Sequence, residues 1–575
     1  MQKVLWTFLL GLTIAIILWP IAPSVYDPLP VQSTYTIKYL PLFIVIFIMW
    51  VLNLGALMFL VRGGAWERLA LCLVFVLVFV QFWGFKAAPW GNSIDSAWLI
   101  GHVNYLNNTA TISDTVRQTL WYFDFPGLTF IGSAIQQICG ADLFLAVRIY
   151  LLSSGVIFSC ILYVAFLKIL KTTYFSAVGV ILSVASSMIL GFIPNQFHPM
   201  NLSTIYIVIF FLLLVMRGVD NFSNTNIVIV FLFLVIASTI EYMFTPVFFS
   251  IVLLFIYIFR RVSSASYNIP LSIVFLPVVM FLSWEMYWTV RDFQYNVTEL
   301  PQAWKAILNG QWFIPTQLIL RENFGAVYPW WGNMAKLFFW LSVFGFGTLL
   351  MFWQLLHWKQ ADDRRRTQIA IFVGVLVTII VGSFYGGVIG IVHGGIRRYI
   401  WIAPLVVVPA LMEFLSSFKL NFVRTVLTLA GLLLILPTFF TNNDTLSVDR
   451  IYSSEIDAFK FVSTYQCKDK ITILGFPSVS PASYIYVPAN SIVEGAYIYG
   501  GANETEAWSR LNDNIKVFLA SDGKSNVAII SVKGKQIYRQ YLGVSLDNLN
   551  WSDLEFKLSS GNNIYDNGTL QFYIP

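Results

Sequence analysis

The sequence predicts an all-α polytopic membrane protein followed by a small C-terminal extracytoplasmic α/β domain. Three observations carry this. The 575 residues are 58% hydrophobic and only 11% charged, with a mean hydropathy of +0.72. Soluble globular chains average about 25% charged residues. Apolar runs of helix-spanning length recur along the chain, about thirteen of them, and they lack the apolar–polar alternation of a β-barrel. Finally, Lys and Arg fall in alternate loops, as the positive-inside rule requires.

The first run, Val4–Ile21, follows Lys3. It reads as a signal anchor or as a cleaved signal peptide, and either leaves Pro23–Lys38 outside. Further spans are predicted at residues 40–61, 69–85, 143–167, 174–193, 200–216, 227–240, 243–259, 270–288, 333–356, 367–390, 399–416 and 422–440. Residues 227–259 could form one long run, but Glu241 and Pro246 interrupt it. A carboxylate at the bilayer centre is costly, so Glu241 is placed at a turn between two spans.

With the N-terminus cytoplasmic, every inside loop is basic: Arg62 and Arg68, Lys168 and Lys171, Arg217, Arg260 and Arg261, Lys359 with Arg364–Arg366, then Lys419 and Arg424. The net charge of +6 is therefore topology information rather than a nucleic-acid patch. The outside loops are 86–142, 194–199, 241–242, 289–332 and 391–398. Residues 1–440 form the transmembrane domain, and the tail 441–575 is a soluble external domain. Its short β-rich runs "KITILGF", "VAIISV" and "LQFYI", with "SSEIDAFKFVSTY" as a helix, give the α/β reading. Glycosylation sequons at Asn443, Asn503, Asn550 and Asn567 fit an exposed tail; others at Asn107, Asn201 and Asn296 fall in or beside outside segments, and Asn221 falls in an inside loop.

Cys72, Cys139, Cys160 and Cys467 have neither disulfide-framework nor metal-ligand spacing. A GxxxxGK[ST] phosphate loop is missing as well.

Polar residues of unusual placement gather on the outer side. The first outside loop carries Asp95, His102, Asp114, Arg117 and Asp124. "PNQFHP" adds His198, the next turn adds Glu241, and "HGGIRRY" adds His393, Arg397 and Arg398. Ionisable groups collected at one membrane face point to a site there. A carboxylate near the interface can act as general base toward a hydroxyl, and arginines can hold a phosphate with paired donors. Together these fit transfer of a sugar from a lipid phosphate carrier. Each residue also has a plainer role. Asp95 could cap the helix after "GNSI". Asp124 in "FDFPG" could brace a turn, His198 could be structural, and Glu241 could pair with a cation. Arg397 and Arg398 could be interface anchors, although they lie on the side where basic residues are not expected. His102 lies seven residues after Asp95, so a helix puts both on one face. Trp330 and Trp331 suit either interface anchoring or the rim of a substrate entrance.

Four stretches carry a likeness to a known family: "IDSAWLIGHVNYL", "WYFDFPGLTFIGSAIQQICG", "EYMFTPVFFSIVLLF" and "GGIRRYIWIAPL". With an acidic residue in a large first outside loop and a helix after it, the chain resembles the GT-C glycosyltransferases: protein O-mannosyltransferases, oligosaccharyltransferases and arabinosyl- or aminoarabinosyltransferases, with the closer likeness to archaeal-type members. The closing "NNIYDNGTLQFYIP" also resembles the end of their external domain. The resemblance implies a membrane transferase that uses a polyprenyl-phosphate-linked (in archaea, dolichol-type) sugar donor and a lipid-linked, glycan or protein acceptor. It maps the catalytic base onto Asp95, with Asp124 as a second carboxylate, and substrate-binding roles onto His102, His198, Glu241, Arg397, Arg398 and Trp330. No cofactor is assigned, and a divalent cation is left open. The chain departs from the family pattern where Ile94 and Ser96, not acids, flank Asp95, and where two extra helices precede the first large loop. The rival readings are a lipid-linked sugar transporter and a non-catalytic scaffold of surface glycan assembly; no internal repeat of the transporter kind is visible.

Overall fold

A computed structural model describes residues 64–69, 94–112, 121–189, 197–217, 225–242, 244–262, 269–290, 340–361, 363–388, 402–418, 421–431, 457–461 and five strands beyond them, with isolated positions between 294 and 309. The predicted spans before residue 64 and at 69–85 lie outside the described residues.

Helix α1 (Ile94–Thr109) opens the first large loop. A 3₁₀ turn, Trp121–Asp124, leads into α2 (Gly127–Cys139). Gly140, with φ at +57°, ends α2 in the left-handed conformation, which glycine adopts without strain. Asp142 then starts α3 (Leu143–Leu170) by accepting hydrogen bonds from the Phe144 and Leu145 backbone N–H groups, each 2.9 Å. There follow α4 (Thr173–Ile189), α5 (Pro199–Arg217), α6 (Thr225–Glu241), α7 (Phe244–Val262) and α8 (Leu271–Tyr287). A π-helical turn, Trp340–Gly345, runs into α9 (Phe346–Leu356), then α10 (Asp363–Val388) and α11 (Ala403–Ser417).

The 227–259 stretch is two helices: α6 ends at Glu241 and α7 begins at Phe244. Among the described residues α3, at 28 residues, is the one helix long and apolar enough to cross a membrane by that measure alone, and seven shorter apolar helices accompany it. Large apolar side chains also cover the outside of the bundle. Phe233, two-thirds exposed, is joined by Phe275, Val279, Leu349 and Trp353. A soluble monomer rarely leaves so much apolar surface in contact with water.

Small residues set the helix crossings. A Cβ at Gly374 of α10 would come within 2.9 Å of the Val252 Cα in α7. At Gly179 of α4 it would meet Phe166 of α3, and at Gly132 of α2 it would meet Val103 of α1. Such positions let helix backbones approach where water supplies no squeeze. In α8 Pro277 interrupts the helical bonding, and the Val278 N–H donates to Ser250 Oγ of α7 at 3.3 Å.

The bundle has two distinct ends. At one, Tyr174 donates to the Arg424 carbonyl (2.6 Å), Phe259 packs on Trp358, and Arg365 pairs with Glu413. These residues lie in or beside the basic loops. At the other end are Asp124, Phe197, Glu241 and Trp284, whose contacts define the site below.

The tail carries β1 (Thr472–Phe476), β2 (Ile492–Gly495), β3 (Asn526–Ser531), β4 (Asn562–Asp566) and β5 (Leu570–Ile574), in sheet order β2-β1-β3-β5-β4. Strand β1 is parallel to both neighbours, whereas β3–β5 and β5–β4 are antiparallel. The pair β4–β5 is a hairpin with a register shift between Asn563 and Tyr565. The three runs read as strands from their composition supply β1, β3 and β5.

Candidate functional site

The site is built around the 3₁₀ turn Trp121–Asp124, which is held from two sides. From α1, His102 packs on Phe123 with the rings tilted by 49° and centroids 4.5 Å apart, and Tyr105 meets the same ring edge-on at 5.9 Å. From α8, the Trp288 indole N–H donates to the Phe123 carbonyl and the Trp284 indole N–H to the Asp124 carbonyl, both at 3.1 Å. The two indoles stack on each other at 5.4 Å. An indole N–H buried among apolar neighbours needs an acceptor, and a tight turn has carbonyls to spare. The turn is therefore fixed in place and Asp124 is only 5% exposed. Helices α1 and α2 are stitched by Asn107, which donates to Gln136 Oε1 and accepts from Ser133 Oγ and Gln137.

Glu241 closes the same end. It is fully buried, and neither carboxylate oxygen has a hydrogen-bond partner. Its Oε2 lies 2.4 Å from where a Cβ at Gly127 would stand, directly over the first turn of α2. The Tyr150 hydroxyl of α3 is also buried without a partner. Glu241 thus ends α6 at the break before α7, as the turn reading expects, but its carboxylate lies in the packed interior, and among the described residues no cation is bonded to it. Burying a carboxylate without donors is costly, and such a group is a candidate for function.

His198 is 7% exposed, and its Nδ1 accepts the Met200 N–H at 3.1 Å, so it caps the start of α5. Phe197 packs against Tyr150 and lies by Gly132, which ties this cap to α2 and α3. Asp95 is the second residue of α1, inside its first turn, two turns before His102. Its side chain lies outside the described residues, as do Arg397, Arg398 and Trp330 altogether. Among the described residues no three His, Cys, Asp or Glu side chains come within reach of one metal ion. The sequon reading at Asn201 is also corrected, since that residue is buried.

Sequence reasoning missed Glu285, next to Trp284 and nearly wholly buried. The signal was available: it is the one acid in the apolar run 270–288. The Trp284–Trp288 clamp had no such signal, because it joins residues 160 and 165 positions apart.

No family model and no curated protein matches the chain. Solved structures that resemble it include the Archaeoglobus fulgidus oligosaccharyltransferase tethered to an acceptor peptide. It is 11% identical, over 88% of this chain and 74% of that one, with a TM-score of 0.47. ArnT from Cupriavidus metallidurans bound to undecaprenyl phosphate is 10% identical over 88% and 97% of the two chains, at a TM-score of 0.47. The apo form of the same protein is 11% identical at a TM-score of 0.48.

Proposed function

We propose that the chain is an integral membrane glycosyltransferase that moves a sugar from a polyprenyl-phosphate donor to a lipid-linked, glycan or protein acceptor at the outer face. The observation that carries this reading is the end of the bundle where Asp124, Glu241 and Glu285 are buried, beside α1, which carries Asp95 in its first turn. Ionisable groups gathered at one end of an apolar bundle mark a candidate site.

In this reading Asp95 takes the proton of the acceptor hydroxyl, whose oxygen attacks the anomeric carbon. The bond from that carbon to the phosphate oxygen breaks, and polyprenyl phosphate leaves with the electron pair. Arg397, with Arg398, holds the phosphate through paired donors. Asp124 orients the acceptor, and His102 shares the helix face of Asp95. The C-terminal domain covers the cavity or recognises the acceptor, and Trp330 shapes the lipid or sugar entrance.

Transfer by the purified chain in lipid nanodiscs, from a defined polyprenyl-phosphate sugar, tests this directly. The expected result is turnover in the parent chain and its loss in Asp95→Asn, with the unfolding midpoint unchanged. Turnover retained in Asp95→Asn would remove Asp95 from the mechanism. Sugar crossing the bilayer without transfer would replace an enzyme with a transporter.

A further inference from the structure

At the end of the bundle opposite the site, α3, α5, α10 and α11 leave a shallow crevice of about 40 Å³, open to the outside. Leu162, Ala165, Phe166, Phe211 and Leu405 line it, and Gln368 supplies the polar wall. Gln368 is 8% exposed. A primary amide at the edge of an apolar slot can offer a ligand two donors and an acceptor.

The surroundings set the ligand's charge. The crevice reaches Ile169, and exposed Lys168 and Lys171 flank that residue at the end of α3. Arg364 precedes Gln368 by one turn at the start of α10. Arg365, beside it, reaches Glu413 of α11 at 2.7 Å. Arg424 lies over the Tyr174 ring at 5.8 Å. Among the described side chains at this end, Lys168, Lys171, Arg365, Arg366 and Arg424 outnumber Glu413. An apolar slot with a lone amide above it and a cationic rim above that is ordered like a glycerophospholipid: acyl chain, ester, phosphate.

We infer that this crevice binds one anionic glycerophospholipid of the cytoplasmic leaflet. Its acyl chain lies against Phe166 and Phe211, an ester carbonyl accepts from the Gln368 amide, and its phosphate sits among the basic residues of the rim. The inference rests on the membrane reading above but not on the proposed chemistry, because the crevice is at the other end of the molecule.

Native mass spectrometry of the full chain, released from detergent with phosphatidylglycerol or phosphatidylcholine added, tests it. A one-to-one phosphatidylglycerol adduct is expected, held at least tenfold more tightly than phosphatidylcholine. Ala165→Phe, which fills the slot, should abolish it. Gln368→Leu, a milder change that keeps the helix packed, should weaken it severalfold, as should Lys168→Gln with Lys171→Gln. Equal retention of the two lipids, or an adduct that survives both Ala165→Phe and Gln368→Leu, would overturn the site. Displacement of phosphatidylglycerol by undecaprenyl phosphate would overturn it too, since the slot would then hold a donor-type tail. A chain that stays dispersed without detergent or lipid would refute the membrane reading instead. Loss of sugar transfer with the adduct intact would count against the proposed chemistry alone.

Discussion

Gly127→Ala tests the packing of Glu241 over α2. The new methyl would stand 2.4 Å from Glu241 Oε2, 3.4 Å from its Cδ and 3.2 Å from its Cα. The first distance is far inside van der Waals contact, so the carboxylate must move. It has no hydrogen bonds to surrender, but it is fully buried, and any new position displaces packed neighbours. Overpacking of this kind costs about 1–3 kcal/mol. In a Glu241→Ala background both carboxylate contacts vanish and only the 3.2 Å approach to Cα remains, so the same substitution should cost less than about 1 kcal/mol. The cycle should therefore show a coupling of about 1–2 kcal/mol between the two positions. Unfolding of the purified chain by titration with sodium dodecyl sulfate, followed by tryptophan fluorescence, reads all four variants. Gly127→Ala costing the same in both backgrounds would refute the placement of Glu241. So would a loss of 3–5 kcal/mol in Glu241→Ala alone, which is what breaking a buried ion pair costs.

Trp284→Phe keeps most of the ring but strands the Asp124 carbonyl; a loss of about 1 kcal/mol is expected in the same titration, because a buried acceptor is left unsatisfied. Under the proposed function it should also slow transfer, whereas Trp353→Phe, on the apolar exterior, should do neither. Gly374→Ala should cost about 1–3 kcal/mol, since its methyl would meet the Val252 backbone, which cannot rotate away. The comparison is Gly140→Ala, where nothing lies within 4 Å and only the left-handed φ is strained, so about 1 kcal/mol is expected. If Gly140→Ala cost more than Gly374→Ala, the close approach of α7 and α10 would be wrong.

Local signals in the sequence account for much of this architecture. Apolar periodicity and the break at Glu241 separate α6 from α7, and β-rich runs mark three of the five strands. Charge patterning goes further, because the residues beside the basic loops (Tyr174 with Arg424, Phe259 with Trp358) do meet at one end of the bundle. What stayed hidden depends on contacts between distant segments. The environment of Glu241 is one case: a carboxylate between two apolar runs reads equally as a turn residue or a buried one, and Gly127 decides it from 114 positions away. The strand order is another, since β1 lies between β2 and β3 and alternation within a strand does not choose its neighbours. At Asn201 a local pattern misled, because a sequon fixes residue types and not accessibility.

The grip of α8 on the turn has a further consequence. Both indoles hold main-chain carbonyls, which every amino acid carries, so the anchorage is indifferent to what residue occupies position 124. The two indole bonds are thereby independent of the side-chain chemistry at that buried position. Substitutions small enough for the space would keep both anchors, and a library of them at residue 124 would sample chemistry on the same two main-chain holds.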